Sequence, residues 1–174
     1  LPAVERPEID PSNPAFRPLE TITTPRDVLS APLKIELLAG GVLELTGTIS
    51  LGSSLAFADE VEARGDYIET IRLNSPGGSV ENALASAALV REKGYATVVE
   101  DGALCASSCP LILASGAVRE VAPKGSVGVH QIYAGAEDAE RIGPAQAMSD
   151  TQIVTARIAR HFETMGVSPS LWLH

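Results

Sequence analysis

Aromatic residues are nearly missing from this chain: three Phe, three Tyr and one Trp make up 4% of its 174 residues. The core must therefore be assembled mostly from Ala, Val, Leu and Ile. Apolar residues still reach 45%, which excludes a disordered chain. Basic residues are also few, 13 Lys and Arg against 22 Asp and Glu, for a net charge of −9. Nucleic-acid affinity comes from clustered Lys and Arg, so no nucleic-acid partner is expected. The acidity reads as a solvated surface. No apolar run approaches the roughly 20 residues that span a bilayer. No basic stretch followed by an apolar one marks a secretory leader. The chain opens on Leu1 rather than Met, so a leader or membrane anchor removed from upstream is an expectation. Only two cysteines are present, Cys105 and Cys109. They are too few and too close for a disulfide scaffold or a zinc site, and no metal or cofactor is expected. No segment repeats at a fixed period.

Proline is plentiful, and it is concentrated at one end. Pro2, Pro7, Pro11, Pro14, Pro18 and Pro25 fall within the first 25 residues. Proline fixes φ and removes a donor, so residues 1–30 are expected to form an extended tail or linker, or an arm packed on the surface. Residues 31–174 then form one domain. From Leu33, two alternating apolar runs flank Ala39-Gly40-Gly41, a hairpin signal. Residues 51–64 read as a helix with Leu51, Leu55, Ala58 and Val61 facing inward, stopped by Gly65. A short strand over 67–73 runs into Asn74-Ser75-Pro76-Gly77-Gly78-Ser79, a strong breaker. A helix over 80–93 and a strand over 96–99 follow. A short apolar helix is expected over 107–114, with Pro110 in its first turn. Two short strands flank Pro123-Lys124-Gly125, and the second ends in Val129-His130-Gln131. Residues 132–143 read as loop. A long helix over 144–165 has Met148, Ile153, Ile158, Phe162 and Met165 as core positions. Strand, glycine loop and helix alternate, which predicts an α/β domain with crossover connections.

Three features carry chemistry. The first is the Gly77-Gly78 loop between strand and helix. It is either an ordinary tight turn or a loop whose amides face a developing negative charge. The second is Cys105-Ala106-Ser107-Ser108-Cys109-Pro110. A serine just before a helix is most often its N-cap, but the unpaired amides of the first turn also suit a nucleophile there. The third is His130 at a strand end, either a satisfied structural residue or a general base. His161, on the last long helix, reads as a surface or satisfied core residue. Cys105 and Cys109, at i and i+4, either lie at disulfide distance or are two small buried thiols. A bond between them would brace the turn around Ser107 and imply an oxidising compartment.

Taken together, Leu73-Asn74-Ser75-Pro76-Gly77-Gly78, then Ala106-Ser107 with Ala114-Ser115-Gly116, then Val129-His130-Gln131 resemble the proteolytic subunit of the Clp protease. The resemblance covers about residues 33 to 174. The Cys-Ala-Ser-x-Cys variant is most similar to the extracytoplasmic Clp-like proteins of bacteria. It implies the spiral ββα fold of the Clp-protease and crotonase superfamily and a serine hydrolase, in the first place a peptidase. Ser107 resembles the nucleophile, His130 the general base, and the amides of Gly78 and Ser108 the oxyanion donors. The resemblance further implies a peptide or protein substrate bound as an added strand between Gly77 on one side and Ile132 and Tyr133 on the other. It implies a periplasmic location and leaves homo-oligomerisation open.

The chain also departs from that family. The acid of the triad would follow Gly166-Val167-Ser168, but the sequence ends at His174, so a truncated C-terminus or a Ser/His dyad is expected. The proline-rich tail does not match the Clp enzyme's axial segment, so a partner ATPase is not expected. A Ser/Lys mechanism is disfavoured, because no lysine follows Lys124. Two alternatives stand beside the peptidase: a non-catalytic module that binds peptide or acts as a scaffold, and a crotonase-type acyl-CoA enzyme.

Overall fold

The fold is seen in a computed structural model that describes residues 20–130 and 143–173. It opens with a short helix α1 (Arg26–Ser30), followed by strands β1 (Lys34–Leu38) and β2 (Val42–Thr46). These two pair antiparallel, with Leu38 opposite Val42. Gly40 and Gly41 make the turn at φ of +76° and +71°. A Cβ on Gly41 would stand 2.5 Å from the Tyr67 carbonyl oxygen, so only glycine fits there.

Helix α2 (Ser53–Arg64), strand β3 (Thr70–Asn74), helix α3 (Val80–Lys93) and strand β4 (Ala96–Val99) come next. After them lie β5 (Leu104–Ala106), α4 (Cys109–Ala114), β6 (Arg119–Val121), β7 (Ser126–Gly128), α5 (Pro144–Thr164) and α6 (Ser170–Leu173). The main sheet has the order β1-β2-β3-β4-β6 and is parallel from β2 onward. Parallel neighbours require crossovers, and α2 and α3 supply the first two. A second sheet holds only β5 and β7, also parallel. The chain is thus a mixed α/β domain.

One face of the main sheet builds the core. Leu43, Leu45, Ile71, Leu73 and Val99 alternate inward along their strands. They meet Phe57 and Val61 of α2, Ala87 and Val90 of α3, Leu111 and Ile112 of α4, and Ile158 and Phe162 of α5. Small Ala83 and Ala87 on α3 leave room for the aliphatic side chains opposite, in keeping with a core short of aromatics. The ends of α3 match their sequence signals. Ser79 accepts from the Asn82 amide at the start, and Gly94 turns left-handed at the end.

Two helix faces differ from their sequence reading. The buried stripe of α2 is Ser53, Phe57 and Val61, while Leu51 and Leu55 are exposed. Gly52 adopts φ +85° and begins the helix after Leu51, which moves the stripe round the axis. On α5 the deepest contacts are Ile158, Phe162 and Met165, and Met148 and Ile153 are exposed. In the N-terminal half of α5 only Ala147 is buried, so the large core side chains of this helix lie in its C-terminal half.

Residues 20–30, read from sequence within the tail, dock on the domain. The Thr23 amide donates to the Gly102 carbonyl at 2.9 Å, and Asn74 Nδ2 donates to Thr24 Oγ1 at 2.7 Å. Leu29 buries its side chain. The rest of the expected tail, residues 1–19, lies outside the described residues. No helix among the described residues is long and apolar enough to cross a membrane.

Candidate functional site

Parallel pairing of β5 with β7 sets the site. Their register places Ala106 beside Gly128, and the Ser107 amide donates to the Gly128 carbonyl at 2.9 Å. Each chain then leaves its strand at the same end, one residue to Ser107 and two to His130. Ser107 Oγ and His130 Nε2 lie 2.9 Å apart, a normal hydrogen bond. His130 is exposed, and Ser107 is half-buried.

Ser107 is not the helix cap that its position in the sequence first suggests. Helix α4 begins at Cys109, with Ser108 at its N-cap. Ser107 precedes both at φ +59°, and it is the one non-glycine residue with positive φ among the described residues. A serine there has no glycine-like freedom, so the turn stores strain of roughly 1–3 kcal/mol.

The glycine loop lies directly against this turn. The Ser75 amide donates to the Leu104 carbonyl at 2.6 Å, and the Ala106 amide donates back to the Ser75 carbonyl at 3.0 Å. Ser75 Oγ accepts from the Gly77 amide at 3.1 Å. A Cβ on Gly77 would stand 2.6 Å from both Ser107 Cβ and the Ala106 carbonyl oxygen. On its far side the loop pairs with Ile49. The Ile49 amide donates to the Gly77 carbonyl, and the Ser79 amide donates to the Ile49 carbonyl. That pairing turns the Gly78 N–H away from Ile49. Among the described residues neither the Gly78 amide nor the Ser108 amide has a backbone acceptor.

The opposite end of α4 is fully satisfied, and residues from distant elements do most of it. His161 Nε2 on α5 donates to the Leu111 carbonyl at 2.8 Å. Ser115 Oγ donates to Ile112 at 2.6 Å, and Thr97 Oγ1 on β4 donates to Leu113 at 2.7 Å. Arg119 on β6 donates to Ala114 at 3.2 Å and to Met165, at the end of α5, at 3.0 Å. The helix is buried throughout, so these carbonyls could not be left bare. Sequence reasoning missed Thr97 and Arg119 entirely. Their roles depend on pairings across the sheet that no local pattern reveals.

Cys105 and Cys109 form a disulfide with a Cα–Cα distance of 5.2 Å. It joins the end of β5 to the start of α4 across Ser107, and both residues are fully buried. Removing it by Cys105→Ala with Cys109→Ala is expected to cost about 2 kcal/mol of stability, the loop-closure value for so short a loop. Urea unfolding of the oxidised wild type, the reduced wild type and the double variant measures this. The double variant should fall below the reduced wild type, because it also loses two buried sulfur atoms from the core.

His161 is half-buried, and its ring meets Phe162 edge-on. Burial pushes its imidazole below the ordinary value, while the Leu111 carbonyl acts in the opposite sense. The unfolded chain takes up a proton near pH 6.5, and the folded chain does so at lower pH. The folded state therefore keeps this contribution above about pH 6.5 and loses it as the pH falls below that value. The urea midpoint of wild type should drop between pH 7 and pH 5 more than that of His161→Gln, which retains a donor for Leu111.

The expected groove residues Ile132 and Tyr133 lie outside the described residues. Among the described residues no cluster of His, Cys, Asp or Glu could hold a metal ion. Chemically, the arrangement offers a hydroxyl in contact with an imidazole, and two amides without backbone partners beside it. No protein-family model matches the chain, and no curated protein matches it.

Proposed function

We propose that this chain is a serine hydrolase that cleaves peptide bonds, built on the spiral ββα fold of the Clp-protease and crotonase superfamily. One observation carries the reading. Ser107, on a strained left-handed turn, has its Oγ 2.9 Å from His130 Nε2. Backbone strain at a serine needs a reason, and presentation of a nucleophile is one.

His130 Nε2 accepts the Ser107 proton as Oγ attacks the substrate carbonyl. For this the imidazole carries its own proton on Nδ1. The oxyanion that forms faces the Gly78 and Ser108 amides, each donor contributing about 3–4 kcal/mol to the fall in barrier. His130 then passes the proton to the departing amine. Water, activated by the same imidazole, hydrolyses the acyl-serine. Gly77 would stand at one wall of the substrate groove. The disulfide supports an oxidising, extracytoplasmic setting.

In a crotonase-type enzyme the oxyanion amides would serve alone, and the Ser107–His130 hydrogen bond would have no task. A scaffold would likewise have no use for the strain at Ser107. A fluorophosphonate probe on the oxidised protein tests the proposal. It should label Ser107, and labelling should vanish in Ser107→Ala. An oxidised wild type that stays unlabelled refutes the hydrolase reading.

A further inference from the structure

The turn that carries Ser107 is held unevenly on its two sides. On the β5 side the backbone is hydrogen-bonded. The Ala106 amide donates to the Ser75 carbonyl at 3.0 Å and the Ser107 amide to the Gly128 carbonyl at 2.9 Å. On the α4 side such bonds stop. Among the described residues the Ser108 and Cys109 amides have no backbone acceptor, and Pro110 has no N–H to offer. The first amide to find an acceptor is that of Leu111, which donates to the Ser108 carbonyl at 3.1 Å. Ser108 stands at the N-cap of α4 without capping it, and its buried Oγ has no partner. Thr97, Arg119 and His161 all grip α4 through its carbonyls, away from this end. What ties the start of α4 back to β5 is covalent, the bond from Cys109 to Cys105. Between the two cysteines Ser107 holds φ +59°, a conformation that costs a serine free energy and lasts only while its surroundings impose it.

We propose that this disulfide is a redox switch for the Ser107–His130 pair. Oxidised, it presents the hydroxyl to the imidazole; reduced, it lets the turn relax and the pair separate. The inference rests on the hydrolase reading for its purpose, since what it regulates is the reactivity of Ser107. The reductant is a dithiol. One of its thiolates attacks a cysteine sulfur, the S–S bond breaks, and the other cysteine leaves as a thiolate that takes up a proton. The second thiol of the reductant then displaces the first cysteine from the mixed disulfide. Two electrons and two protons thereby reach the protein, and the dithiol ends as a disulfide. Both cysteines are fully buried, so the attack awaits a local opening of the turn and the switch is slow.

The test compares oxidised wild type with the same protein reduced by dithiothreitol and freed of it without air, reduction being confirmed by a thiol count. The rate of fluorophosphonate labelling per folded molecule should fall at least about tenfold on reduction, because a hydroxyl moved off its base loses the alignment that attack needs. Reoxidation should restore it. The His130 ring signals in NMR should move in step, while the far-ultraviolet circular dichroism stays the same. Cys105→Ala with Cys109→Ala should label as slowly per folded molecule as the reduced protein, with or without dithiothreitol. Equal rates per folded molecule in the oxidised and reduced wild type overturn the switch, even where the total labelling falls through unfolding, since the disulfide would then serve only the fold. A double variant that labels as fast as the oxidised protein overturns it too. Oxidised wild type that never labels, with His130 signals that still move on reduction, sinks the hydrolase reading and spares the coupling of the disulfide to the turn.

Discussion

Replacing His130 with alanine is expected to lower peptide turnover by roughly 10⁴-fold or more while leaving the fold intact. The two halves of that expectation come from different parts of the structure. The imidazole touches the Ser107 hydroxyl at 2.9 Å, so its loss leaves that hydroxyl with no base in contact to take its proton. Yet the residue is exposed and lies two positions beyond the last residue of β7, outside the hydrophobic core. Surface substitutions of this kind change stability by about 0.5 kcal/mol or less. Turnover corrected for folded fraction, measured beside urea unfolding, separates the two. A variant that keeps turnover within tenfold of wild type would remove His130 from the chemistry.

Gly77→Ala should damage both stability and turnover. The new methyl group would stand 2.6 Å from Ser107 Cβ and from the Ala106 carbonyl oxygen, and 2.8 Å from the Ser108 nitrogen. These are backbone atoms or a Cβ, so none can rotate aside. The backbone at Gly77 also holds φ +93°, which alanine resists. Crowding and strain together are expected to cost about 3 kcal/mol of stability. Whatever folded protein remains must separate the glycine loop from the Ser107 turn by a good fraction of an ångström. Displacements of that size cost about 100-fold in rate. Under the proposed mechanism the loss should fall on kcat rather than KM, since the oxyanion would form only in the transition state. Gly52→Ala is the matching control. Its φ is +85°, but a Cβ there meets nothing within 4 Å. It should cost only about 1 kcal/mol and leave kcat alone. Equal kcat in Gly77→Ala and wild type would mean that the glycine loop takes no part in catalysis.

The parts of the fold legible in the sequence are those written locally. The hairpin at Gly40-Gly41 and both ends of α3 follow from residues that must adopt left-handed φ or cap a helix. The proximity of Ser107 and His130 rests on β5–β7 pairing, between segments 22 residues apart in register. No periodicity reveals such a pair, and only the order of three motifs pointed to it. Helix faces were harder to read. Leucine spacing pointed inward at Leu51 and Leu55, but Gly52 resets where the helix begins. Ser107 looked like a helix cap because a serine before an apolar run usually is one. Its left-handed turn depends on the disulfide, the Gly128 carbonyl and the neighbouring glycine loop, all supplied from outside the serine itself.

The carbonyl partners of α4 have a consequence for the order in which the molecule comes together. Thr97, Arg119 and His161 bring β4, β6 and α5 to one six-residue helix, and the last of these contacts spans 50 residues. Long-range contacts form late, because closing a long loop costs entropy before any contact repays it. A half-assembled chain would therefore leave the carbonyl end of α4 without its distant partners. The last turn of α4 is completed only when α5 docks, so protection of its carbonyl end reports the finished fold.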